Sequence, residues 1–119
     1  MPLSRPVFAK YCSGLPGVTL HEQWGSLVAK VGGKVFALRG ETEGGIVFKV
    51  TELGFEGLTS TEGIGQAAYF AKGQWVDVTR DAALPAKDTK AYIGASHAMV
   101  ASKLTRKLRL ELGLDAALR

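Results

Sequence analysis

Ser96-His97 sets a hydroxyl beside an imidazole, the pairing that a hydrolase uses as nucleophile and base. Both residues fall in a stretch with helical periodicity, where adjacent side chains point about 100° apart and do not face each other. His97 lies on the apolar stripe of that helix and reads as a hydrogen-bonded core histidine. His21-Glu22 begins like a zinc-binding HExxH, but the fifth position is Gly25 and the other histidine is far along the chain. No metal site is expected. The single cysteine, Cys12, has no basic or histidine neighbour at helical spacing to lower its pKa, so it reads as a small buried hydrophobe. The glycines form neither GxxxxGK[ST] nor a GxGxxG opening a helix, since Gly63-Ile64-Gly65 leads into a strand. Glu41, Glu43, Glu52 and Glu56 lie in or beside loops with no defined partner and read as solvated surface. The chain offers no catalytic set, so an enzyme is not expected, and no cofactor is called for.

Charge remains as the second kind of chemistry. Fifteen Lys and Arg face 11 acids, for a net +4, and the pI is near 9.4. That bias permits nucleic-acid contact without requiring it. The surplus is concentrated from Lys87 to Arg109, where six Lys or Arg stand against the single acid Asp88. Ile93, His97, Val100, Leu104 and Leu108 recur at three- or four-residue steps and form one apolar stripe of a long helix. Ser96, Met99, Lys103, Arg106 and Lys107 fall on the opposite, outward side. Gly94 within the helix suggests close backbone packing.

The rest of the chain must position these groups. A length of 119 residues with 46% hydrophobic content gives one domain over 1–119, with a tail from Leu114 onward that is free to fray. One cysteine and no secretory h-region point to a reducing cytoplasm. The apolar runs are too short to span a membrane. Ser4 caps a first helix with Pro6 in its opening turn, and Phe8, Tyr11, Cys12 and Leu15 make its narrow apolar face. Val18 to Leu20 is a short strand, and His21 to Gly25 is a turn or a strand with a polar face. Leu27, Ala29 and Val31 alternate into Gly32-Gly33, and Lys34 to Arg39 resumes the alternation as a hairpin. Under a two-residue turn Ala29 faces Phe36 and Leu27 faces Leu38, leaving Lys30 and Arg39 on the other face.

Ile46, Phe48 and Val50 continue the buried face in a third good strand. Thr51 then caps a short helix anchored by Leu53, Phe55 and Leu58. Thr59 to Gly65 is loop. Ala67 to Ala71 and Gln74 to Thr79 form a second hairpin about Lys72-Gly73, pairing Tyr69 with Val76 and Phe70 with Trp75. The expected fold is α+β in two layers: an antiparallel sheet of about five strands with helices on one face (α-β3-α-β2-α), ending in a long C-terminal helix.

In this order the motifs resemble the MmcQ/YjbR-like family of small bacterial proteins. The resemblance rests on Leu15-Pro16-Gly17-Val18, Trp24-Gly25, Lys30 through Ala37, Phe48-Lys49-Val50, Gly63-Ile64, Tyr69-Phe70-Ala71-Lys72, Trp75-Val76, Ser96-His97 and Lys103-Leu104-Thr105-Arg106-Lys107. It implies the same helix and strand order and a double-wing DNA-binding fold. The expected function is then non-enzymatic binding to DNA, with phosphates held by Lys30, Lys34 and Lys72 at or near the hairpin tips and by Lys103, Arg106 and Lys107 on the last helix. The alternative is a protein-interaction or chaperone-like module, with a protein partner or a second copy of the chain. It would use an exposed aromatic sheet face of Trp24, Phe70 and Trp75.

Overall fold

A computed structural model describes residues 3–23, 25–40 and 45–114. The described elements are α1 (Arg5–Ser13), β1 (Val18–Gln23), β2 (Ser26–Val31), β3 (Lys34–Arg39), β4 (Ile46–Lys49), α2 (Glu52–Thr59), β5 (Ile64–Gln66), β6 (Trp75–Val78), α3 (Ala86–Ser102) and α4 (Arg106–Glu111). Six strands form one antiparallel sheet in the order β1-β2-β3-β4-β6-β5. Helix α1 packs on β1 and β2, α3 on β2, β3 and β4, and α2 on β5 and β6. The two-layer α+β architecture is therefore as the periodicity indicates. His21 to Gln23 belong to a full first strand, paired with β2 out to Gln23 and Ser26.

The sequence-level caps hold. The Ser4 hydroxyl accepts from Val7 N and that of Thr51 from Gly54 N, satisfying amides that a helix start leaves unpaired. Phe8 and Cys12 are fully buried beneath α1. In α2 only part of the expected anchor set goes inside: Leu58 is buried, Phe55 half-buried, and Leu53 is 80% exposed.

Three features differ from expectation, each for a local reason. The Gly32-Gly33 turn does pair Val31 with Lys34, but the register shifts next, so that Ala29 meets Ala37 and Leu27 meets Arg39. The extra residue makes a β-bulge that sends both Phe36 and Ala37 into the core. Beyond it every side chain of β3 changes face. Arg39 is therefore buried on the helix side at 4% exposure, where its Nε donates to Leu3 O at 3.0 Å, and Leu38 moves to the outer face opposite Val28.

The long helix is the second difference. It stops at Ser102 and resumes at Arg106, because the Thr105 hydroxyl accepts from Leu108 N and caps a new helix. Ser96 does not point outward: it is fully buried, and its hydroxyl donates to the backbone oxygens of Lys49 and Tyr92. Gly94 admits the Tyr11 hydroxyl, which would lie 2.9 Å from a Cβ there. Leu114, expected in a fraying tail, is fully buried in the core.

The third difference is the second hairpin. Strand β5 ends at Gln66, which pairs with Val76, so Tyr69 and Phe70 are not in strand register with β6. The Gln66 side chain takes over as a brace for the loop. Its Nε2 donates to Ala67 O at 2.8 Å and Phe70 O at 3.2 Å, and its Oε1 accepts from Gly73 N at 2.9 Å.

The hairpin tip is held against the helical layer. A Cβ on Gly32 would lie 2.6 Å from Leu104 Cδ1 and 3.1 Å from Leu108 Cδ2, and its φ of +58° is one that side chains disfavour. The neighbouring Gly33 also has a positive φ but faces open space. We expect Gly33→Ala to lose about 1–2 kcal/mol from the left-handed backbone. Gly32→Ala should lose about 1 kcal/mol more through overpacking. Urea denaturation of both variants measures the gap, and equal losses would mean that the tip is not docked.

Candidate functional site

The strand register decides which basic groups meet. Lys34 follows Gly33 at the tip of the β2–β3 hairpin and is exposed. Gly32 in the same turn lies against Leu104 and Leu108, so the exposed Lys103, Arg106 and Lys107 stand around the contact. Lys72 reaches this end from the other side of the sheet. Lys49 is paired with Trp75, and Val50 N donates to Gln74 O at 2.8 Å, so the loop bearing Lys72 leaves β6 at the end where β3 begins. Strands β3 and β6 have β4 between them, a separation on the order of 10 Å.

Lys34, Lys72, Lys103, Arg106 and Lys107 thus share one end of the molecule, and all five are exposed. Lys30 does not join them. Its partners Thr19 and Val35 put it on the sheet face away from the helices, with its stem half-buried. Arg109 is turned inward, donating to Leu104 O at 2.6 Å across the α3–α4 junction. Two acids stand near the bases: Glu52, because β4 leaves the sheet at this end and runs through Thr51 into it, and Glu111, four residues after Lys107 in α4.

The side chains that suggested other chemistry are occupied. His97 Nε2 lies 2.8 Å from Pro16 O, and its ring meets Phe36 edge-on at 5.3 Å, which makes it the hydrogen-bonded core histidine expected. Ser96 bonds elsewhere, so the two form no dyad. Burial pushes the Cys12 thiol up to about 12, far from a reactive thiolate. The neighbouring Tyr11 is raised too, by burial first and by Cys12 second. His21 Nε2 lies 3.0 Å from the Thr19 hydroxyl on the outer face of the edge strand. Among the described residues no three His, Cys, Asp or Glu side chains gather as metal ligands.

Nor do Phe70 and Trp75 form an open aromatic face. The loop after β5 folds back over the sheet, so the rings pack on each other with centroids 4.5 Å apart, and Trp75 is only 9% exposed. Trp24, the third residue of that expected face, lies outside the described residues. The outer face holds a second apolar cluster, with Val47, Ala67 and Trp75 at its centre and Val35, Leu38 and Phe70 against it. Asp77 sits at this cluster, paired across strands with Val47 and Gly65. Its Oδ1 is buried with no hydrogen-bond partner, and burial raises its pKa above the ordinary carboxylate value. The sequence reasoning did not single it out. Its one signal was an acid in an otherwise apolar strand, Trp75-Val76-Asp77-Val78.

A family model described as YjbR matches residues 13–99 of the chain. The chain belongs to the YjbR family. YjbR is not a known enzyme family. Among solved structures the chain is similar to the Deinococcus radiodurans protein DR2400, which has the DUF419 domain. The TM-score is 0.84 at 26% identity, over 95% of this chain and 90% of that one. A Pseudomonas syringae protein shares the fold with a TM-score of 0.64 at 21% identity, over 79% of this chain and 96% of that one. No curated protein matches significantly. The YjbR match contains the hairpin tip, the Lys72 loop and Asp77, and it ends before the bases of the α3–α4 junction. Among the described residues no helix is long and apolar enough to cross a membrane.

Asp77 gives this YjbR domain a pH signature. Its raised pKa means that the folded state favours the protonated acid, so its contribution to stability is complete below the ordinary carboxylate pKa of about 4. That contribution is lost as pH rises through the folded value. Asp77→Asn removes the ionisation. In urea denaturation from acid to neutral pH, the variant should gain on the wild type as pH rises. Parallel pH profiles for the two proteins would show that Asp77 carries no such cost.

Proposed function

We propose that the chain is a non-enzymatic DNA-binding protein of the cytoplasm, holding backbone phosphates at the end where the hairpin tip meets the α3–α4 junction. The single observation that carries this reading is the contact of Gly32 with Leu104 and Leu108. It brings Lys34 beside Lys103, Arg106 and Lys107, which lie some 70 residues away in sequence. Several cations on one side are what a phosphate backbone selects, and each neutralised phosphate releases condensed counterions. Lys72 extends the set sideways across β4. The tip is a fixed prominence, not a free wing, because its backbone is packed on leucines. A reduced, buried Cys12 accords with the cytoplasm.

The reading has a measurable salt dependence. With five phosphate contacts, log K for duplex DNA should fall against log salt with a slope of about −4.5, and each lost contact should flatten it by about 0.9. Fluorescence anisotropy with a labelled duplex measures this. Lys34→Ala and Lys107→Ala should each flatten the slope, while Lys30→Ala on the opposite face should not. Absence of binding at low salt, or a slope that none of these changes moves, would overturn the proposal.

A further inference from the structure

The outer face of the sheet contains a cavity of about 490 Å³ beneath the loop that follows β5. Its volume is in the range of small-molecule sites. Val28, Leu38 and Val47 supply apolar walls, Tyr69 and Phe70 stand at the rim, and Asp77 is the one carboxylate among the described lining residues. We infer that this cavity binds a small organic cation, an amine with an aromatic or branched apolar body, whose ammonium group pairs with Asp77.

The β-bulge in β3 creates the apolar wall, since it turns Leu38 outward beside Val28 and opposite Val47. Exposed sheet faces usually carry polar groups. Here the polar group is a single acid set among aliphatic side chains. Asp77 Oδ1 is sealed against Gly45 without a hydrogen-bond partner, so a ligand in the cavity meets the carboxylate through its other oxygen, and no basic side chain is among the described lining residues. A carboxylate so placed is costly in the empty protein and gains most from a ligand that brings both a donor and a positive charge. Burial already pushes the acid toward its protonated form, and an ammonium partner reverses that pressure.

The rim is prepared for a ligand. Gln66 clamps the loop through Ala67 O, Phe70 O and Gly73 N. Tyr69 has a φ of 69°, and among the described residues no other side-chain-bearing residue has a positive value. Such strain needs surrounding structure to hold it and clusters at ligand clamps. The Tyr69 ring is fully exposed and Phe70 is half-buried against Trp75, so the exposed Tyr69 ring face is available to a cation entering the cavity. Lys34 and the α3–α4 bases lie at the sheet end and on its helix side, away from this cavity, while Lys72 of the proposed phosphate set is carried by the loop that covers it, two residues after Phe70.

The test compares three probes of one shape and different charge: phenethylamine, 2-phenylethanol and 3-phenylpropanoate. Each is titrated to millimolar concentration at neutral pH, with methyl NMR spectra of the valines and leucines as the readout. Phenethylamine should shift the Val28, Leu38 and Val47 methyls and bind about tenfold more tightly than the alcohol, the margin of a charge-assisted hydrogen bond. The carboxylate should bind more weakly than the alcohol. In Asp77→Asn, with unchanged methyl shifts elsewhere, the preference for the amine should vanish. The inference is overturned if the probes bind alike, if the amine leaves the lining methyls unmoved, or if Asp77→Asn keeps the preference. Should the variant not fold, the order of the three probes on the wild type decides the matter.

Discussion

The basic end of the molecule depends on the backbone of Gly32 lying against the side chains of Leu104 and Leu108. A turn residue with any side chain would push the hairpin away from the helical layer, and its positive φ independently favours glycine. Through this contact a local hairpin becomes part of the core. It also explains the end of α3: Leu104 reaches the tip after the last helical turn, and Thr105 then restarts the chain as α4. Lys34 is thereby carried to the bases of a segment distant in sequence.

A second constraint lies one strand position further on. The extra residue in β3 puts Phe36 and Ala37 on the helix side together, where Phe36 packs edge-on against His97. The same shift buries Arg39 beside Leu3 and turns Leu38 outward. One inserted residue therefore supplies packing for the helical layer and an apolar wall for the opposite face. The loop after β5 covers part of that wall, and Asp77 is left at its edge with a buried oxygen unsatisfied.

Much of the fold could be read from residue types and spacing because it rests on local chemistry. The Ser4 and Thr51 caps, the Gly32-Gly33 turn and the stripe from Ile93 to Leu104 each follow from short-range sequence and appear where expected. The bulge was not legible, because Lys34 to Arg39 alternates plausibly in either register and only the packing of Phe36 and Ala37 chooses between them. Ala67 to Ala71 has the composition of a strand, but the Gln66 side chain takes the backbone bonds that a strand partner would have made. The break before α4 was not legible, because the continuing Leu104 and Leu108 pattern reads as one helix across Thr105. The basic residues were legible as types. Their sorting into an end group and an outlying Lys30 required the tertiary fold.

The proposed DNA interface is the end of the molecule assembled by the docked hairpin. The most direct measurement is a backbone-amide NMR titration with a short duplex at low salt. Shifts are expected to concentrate at Gly33, Lys34, Lys72 and the segment from Lys103 to Lys107, with Thr19, His21 and Lys30 on the outer face unmoved. Shifts centred on that outer face, or spread evenly over the surface, would contradict it.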